Sequence, residues 1–195
     1  NSALVRPDRF SAVAALSVAA YPCHHPASRA LYGGLLERCQ ACGLVRTAQQ
    51  STFDYGTSYF DGGSDEGYDF ESAFARDLDR ARFTEELSRL ASRGLSGSIL
   101  DVGCATGTFL TLAKELGWEV SGVEVAEFAR TRASQRTGRP VVASLTELPA
   151  GTSYDVVTLH HVVEHIPAPL PFLRDEIRPR TQRLLVIEVP NFASL

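Results

Sequence analysis

The chain has 195 residues, 44% of them hydrophobic, and a formal net charge of -4. That is apolar material for one medium domain, or for a small module beside a larger one. The acidic balance argues against nonspecific nucleic-acid binding, which needs a basic surface to displace counterions. No apolar run approaches the roughly 20 residues that span a bilayer, so no membrane partner is expected.

Three zones follow one another. Residues 1–50 carry cysteines and histidines in irregular sequence and read as a small N-terminal module. The stretch 11–20 (SAVAALSVAA) superficially matches a secretory signal behind Arg6 and Arg9. An Ala-rich helix or a poorly ordered terminus is the plainer reading, and a cytoplasmic location is expected. Cys39-Gln-Ala-Cys42-Gly43 has the form of a zinc knuckle, a C-x-x-C turn that points two thiolates at one ion. Cys23 precedes it, with His24 and His25 adjoining. Tetrahedral zinc takes four ligands, and Cys23, His25 (or His24), Cys39 and Cys42 supply them. The alternative is a set of buried thiols. Catalytic zinc fits less well because this spacing closes the shell. Either way the pattern favours a reducing compartment.

Residues 51–97 form a connector, aromatic at first (Tyr55, Tyr59, Phe60, Tyr68) and then helical over 74–91. Phe74, Leu78 and Ala81 share one face of that helix, and Phe83, Leu87 and Leu90 nearly the opposite one. The helix therefore breaks near Arg82 or packs against different surfaces at its two ends. Arg76, Arg80 and Arg82 suit a phosphate or carboxylate, or simply a solvated face.

Residues 98–195 alternate strands and helices. Short apolar runs predict strands at 98–102, 118–124, 141–143, 154–159 and 184–189. A helical stripe runs from Phe109 to Leu116 and stops at Gly117; a second helix covers 126–137 and stops at Gly138. Leu170, Leu173 and Ile177 make a third stripe that Pro179 should end. This alternation implies a mostly parallel sheet with right-handed crossovers.

The first strand of this zone runs into ILDVGCATG, a tight glycine turn that opens a helix. Glycines let a backbone approach a ligand, and a helix N-terminus favours negative charge. Glu124 ends the next strand, where a carboxylate can accept bonds from both hydroxyls of a ribose. A dinucleotide site wants G-x-G-x-x-G, but Ala105 and Thr108 fill its later positions. The actual pattern, Asp101, Gly103 and Gly107, suits the amino-acid end of S-adenosylmethionine (SAM), with Asp101 near its ammonium group. A strand–turn–helix with no ligand is the bland alternative.

His160, His161, Glu164 and His165 follow the fourth strand. Ligands of open parallel sheets bind beyond the carboxyl ends of strands. Methyl transfer needs an aligned nucleophile and often a proton acceptor, for which His160 or His161 is the candidate. The competing readings are a loop merely tied to the sheet, or a metal at His161, Glu164 and His165.

Residues 98–195 resemble the class I SAM-dependent methyltransferases, especially their small-molecule group. The blocks ILDVGCATGTFL, GWEVSGVEVA, YDVVTLHHVVEHIPAP and LLVIEVPN carry the resemblance. It implies a Rossmann-like α/β fold of mostly parallel sheet with flanking helices, preceded by a zinc-ribbon-like module. It implies that Asp101, Gly103 and Gly107, with Cys104 in the same turn, cradle the methionine portion. Glu124 would hold the ribose, Val125 pack on the adenine, and Ser144 and Leu145 meet the adenine edge. Ala105 departs from the glycine of many members, and the N-terminal segment has one cysteine fewer than the group's pattern. Tyr55 and Tyr59 match a stretch that lies over the cofactor mouth. The implied reaction moves a methyl group to oxygen or carbon of a small molecule, sugars and secondary metabolites among the candidates. A non-catalytic SAM-binding protein and an RNA- or protein-directed enzyme are the rivals. The His161-x-x-Glu164-His165 spacing is similar to a segment of metal-assisted RNA methyltransferases. The fold of this family continues with two further strands, usually an antiparallel pair. The sequence therefore reads as C-terminally incomplete, with an exposed sheet edge. Oligomeric state is not legible.

Overall fold

A computed structural model describes residues 3–5, 27–34, 36–47, 73–166 and 168–190. The chain divides into two compact units, residues 8–53 and residues 1–7 together with 54–195. The larger unit thus takes in both the connector and the first few residues, which the sequence alone groups with the N-terminal module.

The larger unit is built on a six-stranded sheet of order β1-β9-β8-β5-β6-β7. Its strands are β1 (Ala3–Val5), β5 (Ser98–Val102), β6 (Glu119–Val123), β7 (Val141–Val142), β8 (Tyr154–His160) and β9 (Thr181–Glu188). The last five are parallel to one another. The Rossmann-like expectation is met. Ile99, Leu100, Val156, Val157, Leu159, Leu185 and Val186 are all fully buried. Strands covered on both faces read as continuous apolar runs, which is why they were visible in sequence. β9 begins earlier than its apolar run, because Thr181 pairs with Tyr154 and the polar Gln182 and Arg183 fill an irregularity before Leu184 meets Val156.

The expected bare edge beside β9 is occupied. β1 pairs with β9 antiparallel, Leu4 opposite Val186. A three-residue strand so far from its partner in sequence carries no periodicity by which to predict it.

Helix α1 (Ala73–Ser92) is continuous through Arg82. Phe83, Leu87 and Leu90 enter the core, whereas Leu78 is half exposed and Ala81 is exposed. The helix does not break, and among the described side chains the later face is the buried one, Phe74 of the earlier face lying outside them. Helix α2 (Thr108–Glu115) packs on α3 (Glu127–Thr137) through Gly107, whose φ is +83°. A Cβ there would meet the Cα of Ala133 at 2.8 Å. The segment 169–180 is helical but mixed, with a π-type stretch over Phe172–Ile177 and a 3-10 turn, Arg178–Arg180, that runs through Pro179. Pro179 therefore does not stop it; a proline in a first turn loses no intrahelical bond. No helix among the described residues is long and apolar enough to cross a membrane.

The smaller unit holds an antiparallel sheet of β2 (Ser28–Leu31), β3 (Leu36–Cys39) and β4 (Val45–Thr47). Cys39 ends β3 in a tight turn. Gly43 N–H donates to Cys39 O at 3.0 Å, and Cys39 N–H donates to Leu44 O at 2.8 Å. Cys23 and His25, like His24, Tyr55 and Tyr59, lie outside the described residues.

Candidate active site

One cavity of about 860 Å3 opens in the larger unit beyond the carboxyl ends of β5, β6 and β8. Its first wall is the turn after β5, with Asp101, Gly103, Cys104 and Ala105, together with Glu124, Val125, Ser144 and Leu145. These include every cofactor residue expected from sequence except Gly107. Gly107 does not line the cavity; its missing side chain admits the backbone of α3. Gly103 also makes room for protein, since a Cβ on it would meet Val162 Cγ2 at 2.4 Å.

Glu124 is buried, and both its oxygens are aimed by main-chain donors. Ala126 N–H donates to Oε1 and Ala105 N–H to Oε2, each at 2.9 Å. Burial raises the carboxyl's pKa, the two N–H groups oppose the rise, and nearby Asp101 adds to it. Each carboxylate oxygen can accept a further bond, so the group retains capacity for two hydroxyls. Ala105 must adopt φ +45° to reach it, a left-handed conformation suited to glycine. Val125 is 66% exposed on the rim, a free apolar platform. The Cys104 thiol is buried and pushed well above its ordinary pKa by that burial and by Asp101 and Glu124. It therefore stays protonated and is no nucleophile.

The second wall comes from α1 and from the segment after β8. Asp79, Arg82 and Phe83 line it from α1, His160, His161, Val162 and Glu164 from the end of β8 and the segment after it, and Ile166, Phe172 and Pro190 add apolar surface.

The two candidate histidines sit very differently. His160 is buried, its ring flanked by Phe83 and Phe109 with centroids 5.1 and 5.0 Å away. Nε2 lies 3.1 Å from both oxygens of Glu86, and Nδ1 lies 3.4 Å from Asp101 Oδ1. Burial would lower its pKa, but hydrogen bonds and charge from Asp101 and Glu86 prevail and push it up to about 10. His160 is thus a cation with both nitrogens engaged. Thr158 Oγ1 donates to the same Asp101 oxygen at 2.7 Å.

His161 is half exposed and carries the strained φ of +54°. Its Nδ1 lies 3.3 Å from Glu164 Oε1, and its Nε2 lies 3.5 Å from Glu188 Oε1. Bonding to Glu164 and Glu188 pushes it up to about 9. Glu188 is held down to about 2, first by His161, against its own burial, with help from Arg82, whose Nη1 donates to it at 2.8 Å.

Glu86 is the residue that sequence reading missed. Phe83, Glu86, Leu87 and Leu90 recur at i, i+3, i+4 and i+7, so a carboxylate occupies a core-facing position. That misfit was the available signal. Among the described residues, His161, Glu164 and His165 do not converge as a metal set. Glu86, His160 and Glu188 do bring donor atoms within 4.8 Å of one another. Both nitrogens of His160 are already committed to carboxylates, however.

A mostly parallel sheet with a glycine turn after its central strand and carboxylates at two adjacent strand ends is a Rossmann-like α/β arrangement of the methyltransferase kind. The family model described as "Methyltransferase domain" matches residues 74–192, and the chain belongs to that family. No curated protein matches the sequence. Among solved structures, the chain is similar to a SAM-dependent methyltransferase from Archaeoglobus fulgidus, with 31% identity and a TM-score of 0.51, over 60% of this chain and 54% of that one. It is also similar to the PH0226 protein from Pyrococcus horikoshii OT3, with 20% identity and a TM-score of 0.51, over 70% and 60% of the two chains. The plantazolicin methyltransferase BpumL, solved with a desmethyl plantazolicin analog and SAH, gives 21% identity and a TM-score of 0.52, over 71% and 53%. The chain therefore spans between 53% and 60% of the length of these structures.

Proposed function

We propose that the chain binds SAM in this cavity and moves its methyl group to oxygen or carbon of a small-molecule acceptor. The observation that carries the reading is the pair of buried carboxylates, Asp101 and Glu124, lining one cavity on either side of the glycine turn. Asp101 takes the ammonium group, the backbone at Gly103 and Cys104 receives the methionine portion, and Glu124 accepts from the ribose hydroxyls. Val125 supports the adenine face, and Ser144 and Leu145 its edge. Gly107 serves the same site at one remove, by letting α2 approach α3. Bound there, SAM supplies an electrophilic methyl on a sulfonium.

The acceptor then lies against the second wall. The cavity is within the roughly 300–1,000 Å3 range of small-molecule sites, and its apolar side at Val162, Ile166 and Phe172 suits a compact, partly apolar acceptor. His161 is the better placed of the two candidate bases. Its Nε2 faces Glu188 at a distance where a hydrogen bond is weak, so an acceptor hydroxyl can displace it. His160, with both nitrogens engaged, acts as a fixed cation instead. The net charge of -4 disfavours an RNA acceptor. The cytoplasm is the compartment this reading assigns.

A structural zinc in the smaller unit is the second part of this proposal. Ala41 N–H and Cys42 N–H both donate to Cys39 Sγ at 3.4 Å, so the turn already directs backbone donors at the sulfur that would bind the ion. Cys39 and Cys42 would hold the ion with Cys23 and His25, and zinc would lock the turn rather than do chemistry. This assigns a zinc-ribbon-like module to the N-terminal part, a connector from about residue 51, and a SAM-binding domain from residue 98.

Calorimetric titration with SAM and with its demethylated product tests the main reading. Micromolar binding of both, and methylation of a surrogate acceptor, are expected. Binding without turnover across a broad acceptor panel favours the non-catalytic alternative, and absence of binding sinks the assignment. Metal analysis of the purified protein should find one zinc per chain, lost in Cys39→Ser.

A further inference from the structure

The cavity's carboxylate Asp101 does not stand alone. Beside it His160 also lines the cavity, and behind His160 lies Glu86, a buried carboxylate contributed by α1. Thr158 Oγ1 and His160 Nδ1 both address Oδ1 of Asp101, which leaves Oδ2 for the cavity. Phe83 and Phe109 wall the imidazole from water. In such surroundings charges interact several times more strongly than in water.

The trio's charges decide what it can receive. Two carboxylates and one imidazolium leave one net negative charge, and of the three Asp101 and His160 line the cavity whereas Glu86 does not. SAM's ammonium and sulfonium are both cationic. We propose that Glu86 is a positioning residue for cofactor binding, which offsets the His160 cation so that Asp101 presents an uncompensated carboxylate to the ligand. This rests on the SAM reading above and adds to it a residue from α1, outside the motif blocks. With Glu86 neutral, the His160 cation would cancel Asp101 and repel the ligand.

Other charges face His160. Asp79 reaches it from α1 and Glu188 from β9, and Arg82 binds both of those carboxylates. Arg82 and His161 offset two of the three carboxylates of that second cluster, Glu164 being the third, and Glu164 bonds to His161 rather than to His160. Only Glu86 is given to His160 by both of its oxygens.

The test is Glu86→Gln, which keeps size and hydrogen-bonding capacity and removes one charge. SAM affinity is measured by calorimetry from pH 6 to 10 for both proteins, and the His160 midpoint by NMR. The quantity read is the ratio of variant to wild-type Kd, which cancels titration of SAM's own amino group, a group with a pKa near 7.7–8. Two changes are expected. The His160 midpoint falls by about one unit or more, and the ratio is about tenfold below that midpoint and declines toward one above it. The decline follows because a neutral His160 no longer cancels Asp101.

A ratio near one at every pH overturns the proposal. So does a loss that stays constant across the His160 midpoint, since a purely structural role predicts that. If Glu86→Gln does not fold, the double variant Glu86→Gln/His160→Gln removes both charges together. It should bind SAM within about threefold of wild type, and a pH-independent tenfold loss there overturns the proposal. Failure of the wild type to bind SAM is a different outcome, which removes the reading beneath.

Discussion

His160 Nε2 lies 3.1 Å from each carboxylate oxygen of Glu86, so a histidine at the end of a central strand is paired with a carboxylate from a helix 74 positions earlier. The pair gives stability a pH signature. An unfolded histidine titrates near 6.5, and the folded one near 10. The folded state therefore binds the proton more tightly. Its contribution is complete below about pH 6.5 and is lost as pH rises through about 10. Urea unfolding should show stability falling by a few kcal/mol across that window. His160→Gln should flatten the slope and cost about 3–5 kcal/mol at pH 7, since Glu86 is left buried without a counter-charge.

Rate and pH are linked through the other histidine. His161 sits near 9 because Glu164 and then Glu188 bond to it. If it accepts the acceptor's proton, only its neutral form is active. Turnover should rise with pH and level off above about 9. Glu164→Gln removes the larger cause and should move the rise to lower pH by about one unit. A flat profile in both proteins would falsify the assignment of His161 as base.

Much of the site is legible in the sequence. The strand, turn and following helix are local, and Asp101 and Glu124 sit at the ends of apolar runs whose burial is nearly complete. What was not readable depends on long-range placement. Gly103 and Gly107 look alike in sequence, yet only Gly103 borders the cavity, while Gly107 accommodates α3. Glu86 follows Glu85 and reads as part of a solvated face unless its register with Phe83 and Leu90 is noticed. The three residues of β1 have no pattern of their own, and their pairing with β9 is a property of the assembled sheet.

That difference between the glycines is measurable. Gly107→Ala places a Cβ 2.8 Å from the Ala133 backbone at a φ of +83°. Both effects are unfavourable, and a loss of about 3 kcal/mol in denaturant unfolding is expected. Ala105→Gly works in the opposite sense. At φ +45° the alanine is strained by about 1–2 kcal/mol, partly offset by the entropy a glycine would lose on folding. A net gain of about 0.5 kcal/mol should result, with the N–H bond to Glu124 retained.

Glu124 separates ligand recognition from scaffold most sharply. Its two oxygens accept from Ala105 and Ala126 at 2.9 Å, so the same carboxylate shapes the turn and faces the cavity. Glu124→Gln keeps the shape but turns one acceptor into a donor, which then opposes a backbone N–H. The stability cost should be about 1–3 kcal/mol, the range for a buried donor left unsatisfied. SAM affinity should fall at least about tenfold, because a ribose hydroxyl loses its charged acceptor. Glu124→Asp shortens the reach but keeps both acceptors, and should recover part of the stability with little of the affinity. Equal affinity for all three proteins, read by calorimetry on folded samples, would remove Glu124 from the cofactor site and leave it only a role in shaping the turn.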